Sequence, residues 1–139
     1  MFTTPFKFNS IVRFTDTDKY GHVNNSVYFT YFEEARTQWL FGFPDLVKWG
    51  EDNSIQFVIA EQSCKYILPL LHPNNIETTQ SIKKFGAASI EFSYELRIAG
   101  TDQILTSGNT KLAFFNTQTN RLQKNRPKAW HDILKHFEL

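Results

Sequence analysis

Two aspartates, Asp16 and Asp18, stand one residue apart within FTDTDKYGHVNNSVYFTYFEEAR (14–36), and Gly21, His22, Asn24 and Asn25 follow before a run dense in aromatics. A carboxylate offers either a nucleophile or a general base. The start of a helix offers the complementary half: unsatisfied backbone N–H groups and a macrodipole that together suit a carbonyl becoming an oxyanion. Asn24 or Asn25 is the cap, its side-chain oxygen accepting one orphan N–H. The remaining N–H groups, around Asn25, Ser26 and Val27, point into the space ahead of the helix. Gly21 lets the backbone turn tightly, so that a folded loop carries Asp18 back toward that space. A carboxylate beside an oxyanion pocket is a minimal site for acyl transfer. Asp16 reads as the residue that orders the loop through its backbone. His22 reads as a packed loop histidine, with a catalytic or substrate-binding role as the sharper alternative.

Other chemistry-bearing residues have plainer explanations. Glu33 and Glu34 fit a solvated or salt-bridged helix face rather than an acid–base pair. Ser63 and Cys64 lie in a strand-like segment without a nearby base, and Cys64 reads as core. His72, His131 and His136 lack metal-ligand spacing, so no metal site is assigned.

The elements that position the loop are visible as changes of period. Phe6, Phe8, Ser10, Val12 and Phe14 alternate with Lys7, Asn9, Ile11 and Arg13, as a strand does. Over residues 25–41, Tyr28, Tyr31, Phe32, Ala35 and Trp39 follow helical spacing, with Glu33, Arg36 and Gln38 largely elsewhere and Glu33 able to pair with Arg36. Gly42 and Pro44 break that helix. Strand-like segments follow at 55–68, 75–85, 89–99 and 104–116, separated by the turn-rich PLLHPNN, GAA and GTDQ. Short connections between long strands predict antiparallel pairing. Pro127 opens a terminal amphipathic helix carrying Trp130, Ile133, Leu134 and Phe137. A helix so rich in aromatics needs cover, which a curved antiparallel sheet provides. The sheet's edges invite a second subunit. The expectation is a single α+β domain over 1–139 that self-associates.

Bulk properties exclude several classes. A net charge of +1 gives no electrostatic footprint for nucleic acid. One cysteine cannot form an internal disulfide, which fits a reducing compartment. No apolar run approaches the ~20 residues of a membrane span, and MFTTPFKFNS lacks a signal-peptide core. Cytoplasmic localisation follows as the default. Fourteen Phe, five Tyr and three Trp favour a strand-rich fold with apolar surface to spare.

DTDKYGHVNNSVYFTYFEEAR resembles the signature of the hotdog-fold acyl-CoA thioesterases, in the 4-hydroxybenzoyl-CoA thioesterase branch. VIAEQSCKYILPL (58–70) is similar to that family's second strand, and KKFGAASIEFSYEL (83–96) to its central hairpin. The resemblance implies an antiparallel sheet wrapped around a long central helix, assembled as a homodimer or homotetramer, with an active site at the subunit boundary. It also implies hydrolysis of an acyl-CoA thioester to a free acid and CoA, with no cofactor, because coenzyme A is part of the substrate. The family's catalytic carboxylate falls on Asp18, which either attacks the thioester or activates a water. Its oxyanion contact falls on the backbone N–H of Asn25. HVNN also resembles plant acyl-carrier-protein thioesterases, in which His22 would fit, although Tyr20 stands where that pattern has asparagine. An acyl-ACP thioesterase and a non-catalytic acyl-thioester-binding protein are therefore the alternatives, with hydratases of the same fold further off. Lys83, Lys84, Arg121, Lys124 and Arg126 are candidates for coenzyme A phosphates.

Overall fold

A computed structural model describes residues 5–124. The chain opens with β1 (Phe6–Ile11), passes through a 3₁₀ turn at Phe14–Asp16 and a second at Asn25–Val27, and enters helix α1 (Tyr28–Phe41). Helix α2 (Pro44–Asp52) follows, then strands β2 (Ile55–Tyr66), β3 (Asn75–Phe85), β4 (Ser89–Ile98) and β5 (Ile104–Asn116), and the two-residue β6 (Arg121–Leu122). The strands form one antiparallel sheet in the order β1-β3-β4-β5-β2, with β6 paired to β5. Register shifts at Ile59/Glu61, Ile82/Lys84 and Leu96/Arg97 break the ladders locally. Bulges of this kind increase twist, and they help the sheet curl around α1.

Helix α1 packs on the inner face. Tyr28, Tyr31, Phe32, Ala35 and Trp39 are buried, as their spacing predicts. The Phe32 ring stacks on Tyr94 at 4.5 Å, and Trp39 meets Phe92 edge-on at 5.1 Å. Burying an aromatic of this size contributes roughly 1.5–3 kcal/mol. Gly108 of β5 lets the helix approach: a Cβ there would overlap the Phe32 ring.

Three expectations change. The first strand ends at Ile11 rather than reaching Phe14, because the chain turns into the 3₁₀ segment and leaves Phe14 76% exposed. The break at Gly42–Pro44 leads into a second helix, where only the end of the first was expected. Pro44 takes the first turn, where its missing N–H costs nothing, Leu46 packs into the core, and Lys48 bonds Asp52 at 2.8 Å one turn on. Arg36, assigned to the polar side of α1, is 7% exposed. It does reach Glu33, at 3.8 Å. The terminal helix, with His131, His136 and the candidate Arg126, lies outside the described residues. Among the described residues, no helix is long and apolar enough to cross a membrane.

Candidate functional site

The loop between β1 and α1 is held at two levels. Asp16 is 3% exposed and ties the loop to the helix. Its Oδ2 accepts from the Tyr31 hydroxyl at 2.8 Å and from the Arg13 N–H at 2.9 Å, while Oδ1 accepts from the Arg13 guanidinium at 3.2 Å. Burial alone would raise the Asp16 carboxyl, but these bonds outweigh it and hold its pKa below the ordinary carboxylate value. Burial, reinforced by the neighbouring Asp16, drives the Tyr31 hydroxyl far above its usual range, so it remains a donor. Asp16 is thus the loop-ordering residue, acting through its side chain and through its carbonyl, which accepts the Asn24 N–H at 2.9 Å.

Asp18 sits at the turn of that loop. Its N–H donates to the His22 carbonyl at 2.7 Å, and its carbonyl accepts the Gly21 N–H at 3.1 Å. Gly21 adopts φ 79°, a conformation that glycine tolerates without strain. Oδ1 of Asp18 accepts from the N–H groups of Tyr20 (2.8 Å) and His22 (3.2 Å), which fixes the carboxylate against its own turn. Oδ2 has no hydrogen-bond partner among the described residues.

At the head of the helix, Asn24 is the cap. Its Oδ1 accepts the Ser26 N–H at 3.1 Å and the Ser26 hydroxyl at 3.0 Å. Its carbonyl accepts the Val27 N–H at 2.9 Å. Ser26 and Val27 have therefore spent their N–H groups, and neither is free to meet a carbonyl oxygen. The Asn25 N–H has no partner among the described residues. The Asn25 carbonyl accepts the Tyr66 hydroxyl at 2.9 Å, so both peptide groups flanking Asn25 are pinned.

These groups meet in a cleft of about 270 Å³ lined by Asp18, His22, Val23, Asn25, Tyr28 and Tyr66 together with 67–69. Of the residues singled out from the sequence, Asp18, Asn25 and His22 line it and Ser26 does not. His22 joins a backbone bridge to Leu71 that closes the loop against the segment after β2. The arrangement offers one uncommitted carboxyl oxygen and one electropositive N–H on the walls of a single cleft. No local pattern pointed to Tyr66, which reaches Asn25 from 41 positions away. Cys64, beside it, is only partly buried; that burial raises its thiol pKa and keeps it protonated at neutral pH. Among the described residues, no group of three His, Cys, Asp or Glu side chains could hold a metal ion.

A family model described as the thioesterase-like superfamily matches residues 12–136. A protein of Aquifex aeolicus (strain VF5), named "Putative esterase", is 32% identical over 109 residues, 77% of this chain and 82% of its own length. Among solved structures, SAV2348 of Staphylococcus aureus in complex with CoA is similar with a TM-score of 0.86 at 14% identity, over 99% of this chain and 85% of that one. The DHNA-CoA thioesterase of Staphylococcus aureus has a TM-score of 0.81 at 20% identity, over 95% and 89% of the two chains. At these identities the two structures speak to the fold alone, and the fold is the hotdog: a curled antiparallel sheet with a helix packed against it.

Proposed function

The chain belongs to the thioesterase-like superfamily, and from that membership we propose that it hydrolyses an acyl-CoA thioester to a free acid and CoA. The supporting observation is the pairing within one cleft of an uncommitted Asp18 Oδ2 with the one first-turn N–H, that of Asn25, which neither the cap nor the helix consumes. The thioester carbonyl oxygen accepts from the Asn25 N–H, where the helix N-terminus stabilises developing negative charge. Asp18 then follows one of two routes. As general base, Oδ2 takes a proton from water, whose oxygen adds to the carbonyl carbon; the C–S bond breaks, and the departing thiolate takes up the proton. As nucleophile, Oδ2 itself adds, the thiolate leaves, and water hydrolyses the resulting anhydride. His22, at the cleft wall, contacts substrate in either case.

Coenzyme A as the carrier is supported by SAV2348, which holds CoA on the same fold. A second copy of the chain is supported by β2, a twelve-residue edge strand whose outer side pairs with nothing among the described residues. Homodimer and homotetramer both suit that edge.

The test is thiol release from short, medium, long and aryl CoA esters, run beside Asp18→Asn. Wild type should turn over at least one ester, and Asp18→Asn should lose at least a hundredfold in kcat with unchanged far-UV circular dichroism. Wild-type turnover in that variant refutes the assignment of Asp18. Faster hydrolysis of the same acyl group on acyl-carrier protein would instead make the chain an acyl-ACP thioesterase. Saturable acyl-CoA binding without thiol release would make it a binding protein.

A further inference from the structure

Helix α1 covers only the inner face of the sheet. Along β4, Ile90, Phe92, Tyr94 and Leu96 are buried, while Glu91, Ser93, Glu95 and Arg97 alternate with them on the outer face. The pairing register aligns the outer side chains of neighbouring strands into rows. One row runs Lys84, Glu91, Lys111, Glu61 from β3 through β4 and β5 to β2, so the sign of the charge changes at every step. The next row, Ser81, Ser93, Asn109 and Ser63, is small and uncharged. Two register shifts, at Ile82/Lys84 and Ile59/Glu61, fall at the level of the charged row. A polar hollow of about 440 Å³ opens there beside Lys83, Glu91, Lys111 and Glu61.

The four charges of that row are uncommitted. Elsewhere on the face charges pair within the chain, Lys7 with Glu77 at 3.9 Å and Arg97 with Glu95 at 3.5 Å. Lys84, Glu91, Lys111 and Glu61 form no ion pair with another described residue, although opposite charges stand on adjacent strands throughout. Read from its other end, the row has every sign inverted, so it is complementary to itself. A two-fold axis parallel to the strands, between β4 and β5, exchanges β3 with β2 and β4 with β5. It sets Lys84 over Glu61 of the partner subunit and Glu91 over Lys111 of the partner subunit, each contact occurring twice. An axis along the charged row would set every charge on its own copy. An axis along the small polar row would set Glu91 over Glu95 of the partner subunit. Like charges face each other in both of those arrangements, which is costly.

We propose that the outer face of the sheet docks on the same face of a second copy of the chain, with the two-fold axis along the strands and the row Lys84, Glu91, Lys111, Glu61 meeting its own inverse. The small polar row lets the two sheets approach to the spacing of aligned packed sheets, about 10 Å. Four strands of about ten residues present roughly 600 Å² per copy before side-chain relief, near the roughly 800 Å² that each partner buries in a standard interface. This surface is separate from the β2 edge, so the two contacts combine: the edge joins chains side by side, and the face joins one layer to another. The docking does not rest on the thioesterase reading.

The experiment measures the mass of the full chain by sedimentation equilibrium, for wild type, Glu91→Lys, Lys111→Glu and an equimolar mixture of the two variants. Each variant alone carries one sign at both positions, so its face repels its own copy. Each should have half the wild-type mass, whether or not the β2 edge is also paired. In the mixture an all-positive pair meets an all-negative one, and the wild-type mass should return. Rescue by mixing separates the contact between copies from the pairing of Glu91 with Lys111 inside one chain, which mixing cannot restore. Glu61→Lys and Lys84→Glu, both at exposed positions, repeat the test at the ends of the row and decide it if either central variant fails to fold. Raising NaCl from 0.05 to 1 M should weaken the wild-type association at least tenfold, since salt screens exposed charges. Wild-type mass in the single variants, a mixture that stays at half mass, or a wild-type chain that is monomeric at 100 μM overturns the proposal.

Discussion

Tyr31→Phe deletes one oxygen and tests how the loop is held. The Tyr31 hydroxyl donates to Asp16 Oδ2 at 2.8 Å, with Tyr31 2% and Asp16 3% exposed, so water cannot replace the lost bond. A hydrogen bond to a charged group contributes about 1.5–3 kcal/mol. For a domain of this size that corresponds to a fall in Tm of roughly 5–10 °C at pH 7. The pH dependence carries a sign. Asp16 titrates below its ordinary value in the folded chain, so its stabilisation is fully present above the unfolded pKa and is lost as pH falls through the folded one. The penalty of Tyr31→Phe should therefore be constant from pH 8 to about 5 and shrink below about 4. Because Asp16 anchors the turn that carries Asp18, kcat should also fall. Urea unfolding of both proteins across this pH range, with thiol-release kinetics at pH 7, checks each part. A penalty under 0.5 kcal/mol at pH 7, or one that grows on acidification, refutes the reasoning, since surface-like substitutions already span about that much.

Asn24→Ala removes the acceptor of both Ser26 bonds. It should cost about 1 kcal/mol in urea unfolding and lower kcat, because Ser26 is released beside Asn25. Tyr66→Phe frees the Asn25 carbonyl; steady-state kinetics should show a two- to tenfold loss in kcat at unchanged KM, from a bond contributing about 0.5–1.5 kcal/mol, and a change in KM alone would make Tyr66 a substrate contact instead. Gly108→Ala drives a methyl into the buried Phe32 ring, and thermal unfolding should report a loss of about 1–3 kcal/mol.

The sequence by itself determined the elements whose signal is local. Strand-like segments bounded by turn residues marked β3 and β5 at 75–85 and 104–116, and helical spacing selected Tyr28, Tyr31, Phe32 and Trp39 as the buried face of α1. Both signals depend on neighbours a few positions apart. The loop aspartates and the asparagine cap were legible for the same reason, since a turn and a helix start are built from adjacent residues. Tertiary structure alone decided which groups those local pieces leave free. Asn24 rather than Asn25 became the cap, and its bond to Ser26 removed that N–H from the cleft. Tyr66 reached Asn25 only because the end of β2 lies beside the helix start. Arg36, placed by periodicity on the polar side, was buried because the sheet curls far enough to cover it with Tyr94 and Thr110. Periodicity records which side of an element an atom leaves from, whereas its partner and exposure depend on strands brought together from distant parts of the chain.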